Sequence, residues 1–309
     1  MPVLAGWQSA IVQSGKSRSS SSEAGETSIG SMRAGLMPRC ANPACRSGWL
    51  HLFRKRAVPV FESGWTCSME CTEAQIKHAL EREVDGPILA HDEHRHRIPL
   101  GLLMLEQGWI TREQLRRAVD AQRTARTGRL GEWLIRQGAA DELTVTRALG
   151  IQWSCPVLAP DSSAPPAVVG VMPRLFLEAF GVLPLRLMAD KLLYLGFEER
   201  LDPVLALAVE RMTGLRVESG IVPSSIFRSA HENALSTQFP RLQLGEAVSA
   251  SAAAHMLART VERAQPVASR LVRVHNCLWL RMILSGQNVP LAPVAVVRDF
   301  VCSIGKIDA

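Results

Sequence analysis

No apolar run in this 309-residue chain approaches the roughly 20 residues that a membrane-spanning helix needs. The N-terminus lacks a basic-then-apolar export pattern. Together these absences speak against membrane insertion and make a cytoplasmic protein the default expectation. A phosphate loop is missing as well. The fragment Gly15-Lys16-Ser17 has Ala10 where a glycine is needed, five residues before Gly15, and no strand-like run precedes it. Charge of either sign is modest: 35 Lys and Arg against 29 Asp and Glu leave a net +6. That balance permits acidic or phosphate-bearing partners without requiring them. Hydrophobic residues make up 47% of the chain, enough for real cores, and the length suits two or three domains.

The composition then divides the chain. Residues 1–37 hold the tract "SGKSRSSSSEAGETSIGS", with no hydrophobic period, and read as a disordered Ser-rich tail whose start is expected at Met32 or Met37. In residues 38–86, Cys40 and Cys45 form a C-x4-C pair, and Cys67 and Cys71 form a C-x3-C pair, with 21 residues between the pairs. Four thiolates in two close pairs suit tetrahedral zinc, and an all-cysteine set leaves no open coordination position for catalysis. The intervening "RSGWLHLFRKRAVPVFESGW" reads as a hairpin around a basic turn. Ile76, Leu80 and Val84 recur every four residues and predict an amphipathic helix whose first turn carries the second cysteine pair. A knuckle, a hairpin and a ligand-bearing helix resemble a treble-clef zinc finger. The expected metal is therefore structural Zn, held by Cys40, Cys45, Cys67 and Cys71. It would supplement a core too small to hold the module alone. The run "HDEHRHR", with His91, His94 and His96, fits no standard metal spacing and reads as a solvated linker over 87–96.

Residues 97–160 repeat themselves. "PLGLLMLEQG" from Pro99 and "RLGEWLIRQG" from Arg129 align at a shift of 30, and the alignment continues through Leu115 with Val145, Val119 with Leu149 and Gln122 with Gln152. Each copy predicts a helical hairpin. A short helix carries Met104 and Leu105, or Leu134 and Ile135, and Gly108 or Gly138 stops it. A second helix follows, capped by Thr111 with Gln114 in a capping box, or by Asp141. Each hairpin is too short to be stable alone, so the two are expected to pack as a four-helix unit. Gly101 and Gly131 are costly inside a helix. They are expected to leave backbone N–H groups open to an anion at a helix start.

The tandem R-L-G-x2-L-x3-G-x6-L-x3-L-x2-Q pattern resembles the MshEN-type domain, the N-terminal region of type II secretion and type IV pilus assembly ATPases. The resemblance implies cyclic di-GMP as a ligand. Its contacts would come from Arg97, Leu100, Gly101, Gly108 and Gln122 in the first copy, and from Arg129, Leu130, Gly131, Gly138 and Gln152 in the second. It also covers 165–235, which read as a small α/β domain. "GVLPLRLMADKLLYLGF" is a strand pair. "DPVLALAVERMTG" is a helix with Asp202 as cap, Pro203 first and Gly214 at its end. "LRVESGIV" is a further strand, and Ser224 is expected to cap a last helix. Two departures matter. No Walker A loop or acidic metal-binding segment follows residue 235, so motor activity is not expected, and the first copy has Pro99 in place of the motif arginine, with Arg97 two residues earlier.

Residues 241–309 read as a helix over "SASAAAHMLARTVERA", a strand over "SRLVRVHNCLWLRMIL" with Trp279 and Leu280 in the core, and an apolar "VPLAPVAVV" folding back over a domain. Cys155, Cys277 and Cys302 are scattered and read as buried thiols, with His275 close to Cys277 only in sequence. The expected fold class is α+β and multidomain: a small zinc module, a helical tandem-repeat unit and a small α/β domain. The expected function is non-enzymatic: a cytoplasmic regulatory or adaptor protein that senses cyclic di-GMP and docks a protein partner of secretion, pilus or signalling machinery. Two alternatives stand beside it. One is a scaffold without nucleotide binding, and the other a zinc-dependent nucleic-acid-binding protein using the basic turn "HLFRKR" at 51–56.

Overall fold

The structure is a computed structural model that describes residues 39–47, 57–62, 64–85, 97–159, 164–198, 200–286 and 291–304. The Ser-rich tail, the basic turn and the histidine-rich linker lie outside the described residues.

The described residues open with the Cys40–Cys45 knuckle and a short antiparallel pair, β1 (Val60–Phe61) and β2 (Gly64–Trp65), followed by helix α1 (Met69–Asp85). The expected hairpin across 46–65 lies largely outside the described residues, of which β1 and β2 form a tight antiparallel pair after the basic turn. Helix α1 starts two residues after Cys67, so only Cys71 is helical.

The tandem segment folds as α2 (Leu100–Glu106), α3 (Arg112–Ala125), α4 (Leu130–Arg136) and α5 (Glu142–Trp153). Thr111 and Gln114 form the reciprocal capping box, and the Asp141 carboxylate accepts from the Thr144 N–H at 2.7 Å. Gly108 and Gly138 adopt φ of 70° and 65°, the left-handed conformation that ends each short helix. The Trp109 N–H then donates back to the Met104 carbonyl and the Ala139 N–H to the Leu134 carbonyl, each at 2.9 Å.

Two short helices, α6 (Pro166–Val169) and α7 (Arg174–Phe180), lead into a three-stranded sheet of order β3 (Val182–Met188), β4 (Leu192–Phe197), β5 (Arg216–Ile221). β3 and β4 are antiparallel, and α8 (Pro203–Thr213) makes the crossover that sets β5 parallel to β4. Asp202 caps α8 as expected, accepting from the Leu205 N–H at 3.0 Å. Helix α9 (Ser224–Leu235) corrects one reading. Pro223 occupies the cap and Ser224 is the first helical residue. The free donors are instead taken by α5: Glu142 accepts from the Ser225 N–H and hydroxyl, both at 2.6 Å. The carboxylate thereby ties the tandem unit to the α/β unit at a helix N-terminus, where negative charge is favoured.

The C-terminal part is a four-stranded sheet of order β6-β9-β8-β7. Its elements are β6 (Arg241–Ala247), α10 (Ala250–Ala264), β7 (Ala268–Val274), β8 (Cys277–Ile283) and β9 (Val297–Ile304). The expected single strand over 269–284 is a hairpin, β7 to β8, turned at His275 with φ of 52°. The expected fold-back segment, residues 289–297, leads into an unexpected strand, β9, which is interior and paired with both β6 and β8. Strand β6 had no periodic signal, because its side chains are largely exposed along its length. Trp279 and Leu280 are fully buried, as read. Trp279 meets Phe176 edge-on at 5.3 Å and donates to Asp299 at 2.9 Å. One core joins α6–α9 and β3–β5 to Val272, Val274, Trp279 and Val301 of the second sheet. A second core joins Phe61, Ile76, Ala79 and Leu80 to α10 and the opposite face of that sheet.

Candidate functional site

The four cysteines converge. Their Sγ atoms all lie within 4.8 Å of one another, with Cys45 and Cys67 at 3.4 Å and Cys67 and Cys71 at 3.6 Å. A tetrahedral site with Zn–S bonds of about 2.3 Å places its sulfurs about 3.8 Å apart, so the spacing fits zinc closely. Local structure explains the convergence. The Ala41 N–H donates to the Trp65 carbonyl at 2.7 Å and lays the knuckle on β2, Cys67 leaves β2, and Cys71 sits in the first turn of α1. The Asn42 amide donates to Cys71 Sγ at 3.4 Å, a contact of the kind that orients a metal-bound thiolate. The electrostatics also suit a cation. Burial pushes the Cys67 thiol far above its ordinary value and raises Cys40, while a backbone hydrogen bond at Ser47 lowers Cys45 to about 7. Without a cation Cys40 and Cys67 resist ionising while Cys45 ionises readily, and a bound metal would displace the remaining protons. Zn2+ would be held by all four sulfurs and would supply cross-linking rather than reactivity.

The tandem motif forms a pseudo-twofold unit in which α2 packs on α5 and α3 on α4. The glycines after the motif leucines are buried in it. A Cβ on Gly101 would lie 2.5 Å from Leu115 Cδ1 and 3.0 Å from Leu130 Cδ2. A Cβ on Gly131 would lie 2.8 Å from Val145 Cγ1 and 3.7 Å from Leu100 Cδ2. These are the same contacts with the copies exchanged. The Cβ side of each glycine is filled first by the second helix of its own hairpin, through Leu115 or Val145, and then by the motif leucine of the facing hairpin, Leu130 or Leu100. The terminal glutamines follow the same exchange. Gln122 donates to the Gly128 carbonyl at 3.0 Å, ahead of α4, and Gln152 donates to the Ile98 carbonyl at 2.8 Å, ahead of α2. Leu100 and Leu130 are half-buried in the same core. The sequence reading missed this latch, although the equal shift of 30 from Gln122 to Gln152 was its signal.

The motif arginines differ from these packed residues. Arg129 is exposed at the cap of α4. At the equivalent place before α2 stands Pro99, and Arg97 does not take over its position: its guanidinium stacks 3.3 Å above the Trp153 ring. Elsewhere, Nε2 of His275 meets Asp202 Oδ2 at 2.7 Å and its ring lies against Phe180, while burial pushes the Cys277 thiol up. A cleft of 760 Å3 between β3 and α9, lined by residues such as Leu185, Ser229 and Asn233, carries no charged side chain and offers no ionic grip on phosphate.

No family model matches the chain. Two curated proteins are 31% identical to it over 158 residues: bacteriophage adsorption protein B of Escherichia coli strain K12 and bacteriophage N4 adsorption protein B of Escherichia coli O157:H7. The match takes in 48% of this chain and 20% of either relative, so the chain spans about a fifth of their length. Among solved structures, the chain is similar to MshE and to the N-terminal domain of XpsE. "Structure of MshE with cdg" matches 45% of this chain and 99% of that one, at 24% identity and a TM-score of 0.38. "Structure of the N-terminal domain of XpsE" matches 43% and 91%, at 22% identity and a TM-score of 0.32. None of the helices among the described residues is long and apolar enough to cross a membrane.

Proposed function

We propose that the chain is a non-enzymatic regulatory or adaptor module, stabilised by zinc on its four cysteines, whose tandem unit binds cyclic di-GMP and passes that state to a protein partner. The observation that carries the reading is the tandem motif itself, with Arg129 held exposed at the start of α4 while the rest of the motif forms its rigid frame. An arginine at a fixed helix start can make planar, two-point contact with a phosphate or a base edge. Calorimetric titration of the full chain with cyclic di-GMP tests it. Arg129→Ala is expected to weaken binding ten- to a hundredfold, the worth of one charge-assisted hydrogen bond of about 1.5–3 kcal/mol. Pro99→Arg is expected to keep or strengthen it by adding a donor to the first copy. No heat from wild type at tens of micromolar ligand, and none from Pro99→Arg, overturns the nucleotide reading.

One observation favours a second reading. Gly101, Gly131, Gln122 and Gln152 all have packing or latching roles inside the unit. A scaffold that docks a protein without a nucleotide would need the same residues. Binding of a nucleic acid through Lys and Arg would separate from both by salt, since it should fall steeply as ionic strength rises.

A further inference from the structure

The outer edge of β7 is one end of the four-stranded sheet, and it lies alongside the cysteine module. An open edge of this kind displays unpaired N–H and C=O groups and invites pairing with another chain. Here each outward group with an assigned partner is met by the module. The Ser269 carbonyl accepts from the Glu62 N–H at 2.9 Å, and the Pro266 carbonyl accepts from the Val60 N–H at 2.9 Å. The Ser269 hydroxyl returns a bond to the Val60 carbonyl at 2.8 Å. Further along, β1 has ended, and carboxylates stand in for the missing strand. Glu62 Oε1 lies 3.5 Å from the Leu271 N–H, and Glu83 Oε2 accepts from the Arg273 N–H at 3.1 Å. Positions 269, 271 and 273 are alternate residues on one edge, as strand geometry requires.

The cover is anchored at both ends. At one end, buried Thr66 and Thr72 join hydroxyls at 2.7 Å, and Thr72 donates to Glu262 of α10 at 2.7 Å. At the other end lies Glu83, whose side chain is fully buried and paired with Arg82 and Arg211. Between them, β1 and β2 are only two residues long each. A two-residue pair is far too short to hold its own geometry. The four sulfurs gather the knuckle, the end of β2 and the start of α1 at one point.

We propose that the metal on Cys40, Cys45, Cys67 and Cys71 is a clasp for the β7 edge: with it bound, β1 and the Glu62 and Glu83 carboxylates close the edge, and without it the edge opens to water. This rests on the zinc reading above. The test is amide hydrogen exchange on the full chain, with zinc bound, after chelation and after zinc is restored. Chelation is expected to speed exchange at Leu271 and Arg273 at least tenfold, with Leu193 and Leu195 of central β4 unchanged, and zinc is expected to reverse it. Cys71→Ser should reproduce the chelated pattern without chelator. Zinc that binds and is removed with no change at Leu271 and Arg273 overturns the clasp and leaves the metal site standing. Equal acceleration at β4 also overturns it, since the metal would then hold the whole chain. Purified protein that takes up no zinc overturns both.

Discussion

The tandem helical unit and the sheet clasp are built from opposite kinds of contact. In the tandem unit most of the defining contacts are short-range: a cap three residues from its partner, a glycine two residues past a helix end and a latch six residues from Gln122 to Gly128, with the matching latch from Gln152 to Ile98 spanning 54. In the clasp, Val60 and Ser269 meet across 209 positions and Thr72 and Glu262 across 190. Local contacts cost little chain entropy to close and leave a periodic trace in the sequence. Distant ones require long loop closure and are worth forming only when well packed and fully paired. The first region thus uses repeated small residues and caps, and the second uses buried carboxylates, a shared apolar core and, on our reading, a metal.

Three substitutions sharpen that contrast. The largest effect is expected in the clasp. Glu83→Ala leaves the Arg273 N–H and the guanidinium of Arg211 without the buried carboxylate that now joins them. The Arg82 and Arg211 side chains are 43% and 42% exposed, so water takes up part of the loss, and the missing charge-assisted hydrogen bonds are expected to cost about 1.5–3 kcal/mol. Urea unfolding of the full chain should show that loss, and a loss no greater than that of an exposed ion pair would mean the clasp is dispensable. Next comes the tandem core. Gly131→Val drives a branched side chain into Val145 and should cost about 1–3 kcal/mol by overpacking. Adding Val145→Ala should restore part of it, and a double variant no better than the single would show that the crowding lies elsewhere. The smallest effects belong to the latches. Gln122→Ala and Gln152→Ala each remove one side-chain hydrogen bond, expected to be worth about 0.5–1.5 kcal/mol. The pseudo-twofold requires the two losses to match in thermal or urea unfolding; unequal losses break the equivalence.

The zinc reading shows how much of the candidate site was legible in the chain. Two close cysteine pairs name the ligands, because few other uses need four thiols so spaced. The helix and its apolar stripe were equally readable from Ile76, Leu80 and Val84. What could not be read was the destination of that stripe, which packs on α10 and the C-terminal sheet. Glu62 and Glu83 carried no signal at all. A carboxylate in a tight turn or on a polar helix face looks solvated until the tertiary structure places a strand edge against it. For the motif glycines the sequence signals close approach, and only packing shows that Leu115 and Val145 fill the Cβ side.

The sequence alone determined the elements whose cause is local. The hairpins of the tandem unit, their caps and stops, the Asp202-Pro203 helix start and the β3–β4 pair all follow from turn and capping chemistry within a few residues. Tertiary structure decided what depends on two distant segments at once. It made β9 an interior strand although its Pro-rich approach reads as a loop, and gave α9 its cap from Glu142 rather than from its own serine. It also assigned the edge of β7 to a module from the other end of the chain. The reason is physical: backbone N–H and C=O groups must be paired wherever water is excluded. Which groups lose their water is settled only when the whole chain has packed.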